Sequence, residues 1–217
     1  MHSMAPTLVD RDSDLHLGHQ PTKPAPVAAR HSIVRTSILF TLVTAFLLGI
    51  VYPLVVTGLA KVMFPHKAEG SLILKDGQVI GSELLAQSFT SDKYFHPRPS
   101  AAGNGYDATS SGGTNLAQSN AKLVARIQGD IDAAAAKNPG KPVPIDMVTY
   151  SGSGLDPDIT PDNANYQAQR IADARKLSVD QVCTLIAQHV APRDLGIFGE
   201  PRVNVLSLNL ALDQLSK

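Results

Sequence analysis

The chain has 217 residues, with 19 Lys+Arg against 19 Asp+Glu, one cysteine and no tryptophan. From Val62 onward the balance is 14 Lys+Arg against 16 Asp+Glu, which lacks the basic stripe of a nucleic-acid binder, and so few aromatics exclude a base-stacking platform. A lone cysteine, Cys183, excludes an intrachain disulfide, and its apolar neighbours mark it as a core residue.

Residues 1–31 carry Pro6, Pro21, Pro24 and Pro26 among scattered polar residues, without an apolar period. They read as a disordered tail. His2, His16 and His19 lie at no metal-binding spacing, and no His pair stands at i, i+4 anywhere in the chain.

Thr36 to Ala60 run 25 residues without a charge. As a helix they cover roughly 37 Å, enough to cross a ~30 Å hydrocarbon layer with some tilt. The run exceeds the apolar core of a signal peptide and lacks a small-x-small cleavage site, so a retained transmembrane helix is expected over residues 32–63. Lys23, Arg30 and Arg35 before it are matched by Lys61, Lys67 and Lys75 after it, so flanking charge does not choose an orientation. The closeness of Arg30, His31 and Arg35 to the apolar run favours an N-terminus inside and an exported C-terminal domain. Thr41, Ala45, Gly49, Pro53 and Thr57 recur every four residues. Such a small-residue track lets a partner helix approach closely.

Residues 64–217 are expected to form one mixed soluble domain. Ser71–Leu74 and Gln78–Ile80 flank Lys75-Asp76-Gly77, and Asp-Gly marks a tight hairpin turn. Gly81 to Ser119 is rich in Gly, Ser, Pro and aromatics; a loop this long in a compact domain is functional or contact-forming. A helix is predicted from about Asn120 to Lys137, with Leu123, Val124, Ile127, Ile131, Ala134 and Ala135 on one face. Val143 to Tyr150 read as a short strand. A second helix starts at Thr160 with Pro161 in its first turn, and a third opens on the capping box Ser178-x-x-Gln181, its stripe of Val179, Val182, Ile186 and Val190 running to Pro192. In the tail, Leu206 to Leu212 alternate like a strand, whereas Asn204 fits the cap of a helix to Leu215; the helix is the preferred reading. The fold class is therefore α+β: a single N-terminal transmembrane helix followed by one mixed domain with a small sheet and about three to four helices.

No phosphate-cradling loop occurs: Gly140-Lys141 is followed by Pro142. Ser151-Gly152-Ser153-Gly154-Leu155-Asp156-Pro157 resembles a serine nucleophile elbow but has Ser151 where the pattern requires Gly. It reads as a Gly-rich turn before a helix, whose backbone N–H groups suit an anion or a partner's carbonyls. A membrane-tethered extracytoplasmic serine hydrolase with Ser153 as nucleophile is the alternative function. Arg98, Arg170, Arg175 and Arg202 stand near turns or helix ends, where guanidinium groups tie loops through carboxylates.

Five stretches in order carry a resemblance: Gln87-Ser88-Phe89; Tyr94-Phe95 through Arg98-Pro99-Ser100-Ala101; Ser111-Gly112-Gly113-Thr114-Asn115; Ser151 through Pro157; and Gly199-Glu200-Pro201-Arg202-Val203-Asn204-Val205-Leu206. With Tyr52-Pro53-Leu54 and Thr57-Gly58 in the span, this series resembles the C-subunit family of Kdp potassium-transporting ATPases from about Ile33 to Leu212. That family usually has His after the Leu-Asp-Pro triplet and Ser before Asn115; here Asp158 and Thr114 stand there.

The resemblance implies a non-catalytic accessory subunit in the bacterial inner membrane, its soluble domain on the extracytoplasmic side. The implied partners are a channel-like potassium-binding subunit, a P-type ATPase subunit, a small stabilising subunit and membrane lipid. Potassium is the transported ion, ATP is reached through the complex, and no metal or cofactor is assigned to the chain. The family is described as a catalytic chaperone that raises the ATP affinity of the pump subunit. On this reading Tyr94, Phe95, Arg98, Ser111, Gly112, Gly113, Asn115, Ser151, Gly152, Ser153, Gly154, Asp156, Arg202 and Asn204 form the partner interface or the core that orders it. Thr41, Ala45, Gly49, Pro53 and Thr57 serve transmembrane packing.

Overall fold

The structure, a computed structural model, describes residues 30–215, so most of the expected tail, with His2, His16 and His19, lies outside the described residues. The chain divides into two compact units, residues 1–56 and 57–217.

Helix α1 (Arg30–Phe46) runs into a wider π turn at Leu47–Val51 and then into α2 (Tyr52–Met63). Helix therefore begins at Arg30, slightly inside the stretch expected to be tail. The stretch Ser32–Met63 is long and apolar enough to cross a membrane. Two features of the sequence suit it to lipid. Thr36 and Thr44 donate their hydroxyls to the carbonyls of Ser32 and Phe40, both at 2.7 Å, so neither needs an outside partner. Pro53 lacks an N–H and would crowd the carbonyl four residues back. The π turn lies immediately before it, with the Tyr52 N–H reaching five residues back to Leu47.

The second unit takes in the last residues of α2 and continues with a short turn, α3 (Pro65–Ala68), and an antiparallel hairpin of β1 (Leu72–Lys75) and β2 (Gln78–Ser82). Asp76 and Gly77 have φ of 52° and 77°, the left-handed pair that a two-residue hairpin turn demands. Residues 83–120 contain no helix or strand. Helix α4 (Ala121–Lys137) then starts on Asn120, whose side chain accepts the Lys122 N–H. Its expected apolar face is shallow: Ala134 is buried, whereas Val124 is exposed.

The strand expected over Val143–Tyr150 is absent. Pro142 and Pro144 remove ladder donors, and Ile145–Met147 instead form one 3-10 turn. That turn directs the buried Asp146 carboxylate onto the N–H and hydroxyl of Thr160, at 2.8 and 3.0 Å. Thr160 in turn accepts the Asn163 N–H and caps α5 (Pro161–Arg175). Helix α6 (Val179–Gln188) has both halves of the Ser178–Gln181 capping box. It ends earlier than its stripe suggested: Val190 belongs to β4 (Val190–Ala191). A central β5 (Arg202–Asn204) pairs antiparallel with β4 and with β3 (Asp158–Ile159), giving the order β3-β5-β4. Neither two-residue strand has a recognisable sequence period. The tail resolves as helix α7 (Val205–Leu215), entered when the Asn204 Oδ1 accepts the Ser207 N–H at 3.0 Å.

One core joins these elements. Phe95, Ile159, Ile171, Val182, Ile186, Val203, Leu208 and Leu212 are buried in it, and Cys183 packs partly buried against it. Each large aliphatic side chain sequestered there contributes roughly 1.5–3 kcal/mol.

Candidate functional site

The Ser-Gly-rich turn and the long loop meet. Gly154 takes a φ of +67°, and a Cβ there would fall 2.7 Å from both the Ala102 nitrogen and the Gly112 oxygen. Only glycine lets the two segments approach so closely. The carbonyl of Gly154 accepts the Ser100 hydroxyl at 2.6 Å, while Ser100 Oγ accepts the N–H groups of Ala102 and Tyr106. The Ser153 carbonyl accepts the Gly112 N–H at 2.8 Å and the Ser111 hydroxyl at 3.0 Å. Gly113 passes so near the Gly152 carbonyl that an added Cβ would lie 3.3 Å away. Ser153 Oγ accepts the Leu155 N–H at 3.1 Å and lies 3.4 Å from Ser151 Oγ. This is the bonding of a turn, with no histidine hydrogen-bonded to either serine among the described residues.

Arg98 clamps the same junction. Its guanidinium bonds Asp156 at 2.9 Å and the Tyr150 carbonyl at 3.3 Å, and its own carbonyl accepts the Tyr106 hydroxyl. Asp156 also accepts the Asp158 N–H. Through Asp158 the cluster reaches the last motif: Arg202 lies 3.4 Å from one carboxylate oxygen and Asn204 donates to the other at 3.3 Å. Burial raises the Asp158 pKa above the usual carboxylate value. The Asn204 hydrogen bond and the Arg202 charge oppose that rise, and the nearby Asp156 adds to it.

Tyr94 and Phe95 are fixed separately, on α7. Phe95 is fully buried. Its N–H and C=O pair with the side-chain amide of Asn209 at 2.8 and 3.0 Å. Gln167 holds the next residue in the same way, bonding the His96 N–H and C=O at 2.8 and 3.0 Å, and also bonds Asn163. The Tyr94 hydroxyl donates to Asp213, and Arg175 stacks over its ring while pairing Asp213 at 2.8 Å. Arg170 bonds the carbonyls of Asp92 and Tyr94 and the side-chain oxygen of Gln167.

These arginines do tie loops, but backbone carbonyls serve as acceptors beside the expected carboxylates, and at Arg170 they carry the contact. Asn115 stands apart, exposed, with a φ of 52°. Thr41, Ala45, Gly49, Pro53 and Thr57 all sit exposed on the apolar helix, with Gly49 inside the π turn. Asp146, Asn163, Gln167 and Asn209 escaped sequence reading. The one available signal was an amide among leucines: Asn209 interrupts Leu206, Leu208, Leu210 and Leu212.

Two hollows border these clusters. The larger, about 910 Å³, is lined in part by Phe89, His96, Tyr106, Met147, Tyr166 and Arg170. Burial, then the Arg170 charge, lowers the His96 pKa from its ordinary value. The second, about 580 Å³, places Ser111, Ser151 and Ser153 beside Leu84, Leu85 and Leu155. Among the described residues no group of His, Cys, Asp or Glu side chains gathers as a metal site requires.

Together these observations describe an α+β domain organised by a tied loop, in a chain that also carries one helix of membrane-spanning length. The family model described as "K+-transporting ATPase, c chain" matches residues 34–214. The potassium-transporting ATPase KdpC subunit of Koribacter versatilis is 55% identical over 178 residues, covering 82% of this chain and 92% of the relative. That of Acidobacterium capsulatum is 55% identical over 183 residues, 84% of this chain and 98% of the relative. That of Rhodospirillum rubrum is 54% identical over 179 residues, 82% of this chain and 92% of the relative. The chain belongs to the KdpC family of potassium-transporting ATPase subunits.

Proposed function

We propose that the chain is a non-catalytic accessory subunit of an ATP-driven potassium importer in the bacterial inner membrane. Its helix packs on partner helices, with Thr41, Ala45, Gly49, Pro53 and Thr57 as the close-approach track. Its domain lies on the extracytoplasmic side and docks on the channel-like subunit. The P-type ATPase subunit and a small stabilising subunit complete the complex. The observation that carries this reading is how the motif side chains are used. Arg98, Ser100, Ser111 and Asp156 bond protein backbone or one another, as parts of a shaped scaffold do. They are not arranged as a nucleophile, base and orienting group.

A domain outside the membrane acts on cytoplasmic ATP only by coupling. Such coupling is typically about 1–3 kcal/mol, or roughly 5–150-fold in affinity. The serine-rich hollow beside Leu84 and Leu85 is the docking surface this reading favours. Arg98, Gly154, Arg202 and Asn204 order it.

The test compares ATP dependence and potassium stimulation of the complex purified with and without the chain. Loss of the chain is expected to raise the ATP concentration for half-maximal activity within that range, and an unchanged value overturns the chaperone role. Sidedness is read on a Cys183→Ser background with cysteine placed at the exposed Lys141: an impermeant maleimide is expected to label it from outside intact spheroplasts. Ser153→Ala is expected to retain potassium uptake, and the parent chain to hydrolyse no model ester; ester hydrolysis that Ser153→Ala abolishes would favour the hydrolase alternative.

A further inference from the structure

Between β4 and β5 the chain forms a tip that contributes nothing to the core. Leu195, Ile197 and Phe198 are 88%, 73% and 62% exposed. Three large apolar side chains within four residues make a knob of a few hundred Å², a size that marks a functional patch but falls short of the ~800 Å² per partner of a stable protein interface. The tip is nonetheless well formed. Asp194 and Phe198 exchange both backbone hydrogen bonds at 2.9 Å, the Gly196 N–H reaches the Arg193 carbonyl, and the Ile197 N–H reaches Asp194. Leu195 holds a φ of 54°, a backbone region that costs a non-glycine residue free energy. No burial of its own side chain offsets that cost.

Hydrogen bonding, charge and tethering together point to what covers the tip. Four of the five N–H groups from Asp194 to Phe198 are satisfied within the loop, which lowers the cost of moving this backbone out of water into the interfacial layer. Charges are confined to its base and pair there: Arg193 with Glu200 at 2.6 Å, and Arg202 with Asp194 at 3.5 Å. An apolar tip above a ring of self-compensated charge matches the gradient from hydrocarbon to headgroup, and the long stems of Arg193 and Arg202 can span it. Lipid is also the one partner that the chain's own spanning helix keeps at high effective concentration, so a small knob suffices. We infer that Leu195, Ile197 and Phe198 insert into the interfacial layer of the bilayer, giving the domain a second, shallow membrane contact. This rests on the membrane-spanning reading of Ser32–Met63.

The chain has no tryptophan, so Phe198→Trp supplies a single reporter on an exposed position. The full chain is reconstituted in vesicles of zwitterionic lipid with and without brominated acyl chains. Blue-shifted emission and roughly twofold quenching by brominated lipid are expected, as for an aromatic at the membrane interface. Red, unquenched emission overturns the inference. Blue-shifted but unquenched emission overturns it in favour of a protein surface, a second copy of the chain included. Equal quenching of Lys141→Trp also overturns it, because the whole domain would then lie on lipid. Phe40→Trp, within the span, separates the two readings. If it is quenched and Phe198→Trp is not, only the tip contact fails. If neither is quenched, the membrane reading fails and the tip contact with it.

Discussion

Neither the segment 83–120 nor the tip 193–200 contains a helix or a strand, yet they are opposite objects. The long segment is tied to residues far along the chain: Phe95 to Asn209, His96 to Gln167, Arg98 to Asp156, Gly112 to Ser153. The tip bonds chiefly to itself and leaves its apolar side chains in the open. Absence of regular secondary structure therefore says little about order or role. What separates the two is where the backbone hydrogen bonds go. Buried side-chain amides replace a strand partner for the long segment and make it part of the scaffold, whereas local closure leaves the tip free to meet a partner.

Removing one tie should break that contrast most severely. Asn209→Ala leaves the buried N–H and C=O of Phe95 unpaired, with an expected loss of about 2–4 kcal/mol, read by urea unfolding of the detergent-solubilised full chain. A loss below a few tenths would mean that the amide is replaceable. Gly154→Ala comes next: left-handed backbone and contact with Ala102 and Gly112 should cost about 2 kcal/mol, and increased proteolysis between residues 100 and 113 should accompany it.

The pH dependence sharpens the comparison with smaller effects. The His96 pKa is lowered from 6.5, so the unfolded chain takes up a proton first. The stability it contributes is complete above pH 6.5 and is lost as pH falls through the folded value. Replacing His96 by Asn should flatten that decline in the thermal midpoint. Asp158 has the opposite sign: with its pKa raised from 3.8, its charged form is disfavoured in the fold. That penalty is full above the folded value and fades as pH falls towards 3.8. Asp158→Asn should therefore be at least as stable as the parent at neutral pH, with the difference shrinking in acid. Smallest of all, changing Leu195 and Ile197 together to Asn should move stability by no more than about 0.5 kcal/mol. A larger loss would make the tip architectural, like the long segment.

The apolar helix, the Asp-Gly hairpin turn, the Thr160 cap and the Ser178–Gln181 box were legible because each depends on neighbours within one or two turns of chain. Charge-free length, left-handed turn residues and capping hydroxyls act locally, and a linear sequence records local relations. The strand expected at 143–150 failed first on local chemistry, Pro142 and Pro144 removing ladder donors, and then on a tertiary fact: Asp146 is bound into the α5 cap. The three-stranded sheet was invisible because two-residue strands have no period and exist only through β5. The loop ties lay equally out of reach, since the groups that satisfy residues 95 and 96 stand 114 and 71 positions away. Local chemistry set the span, the turns and the helix starts; long-range hydrogen bonding, which only folding brings within reach, decided which irregular segment became scaffold and which stayed exposed.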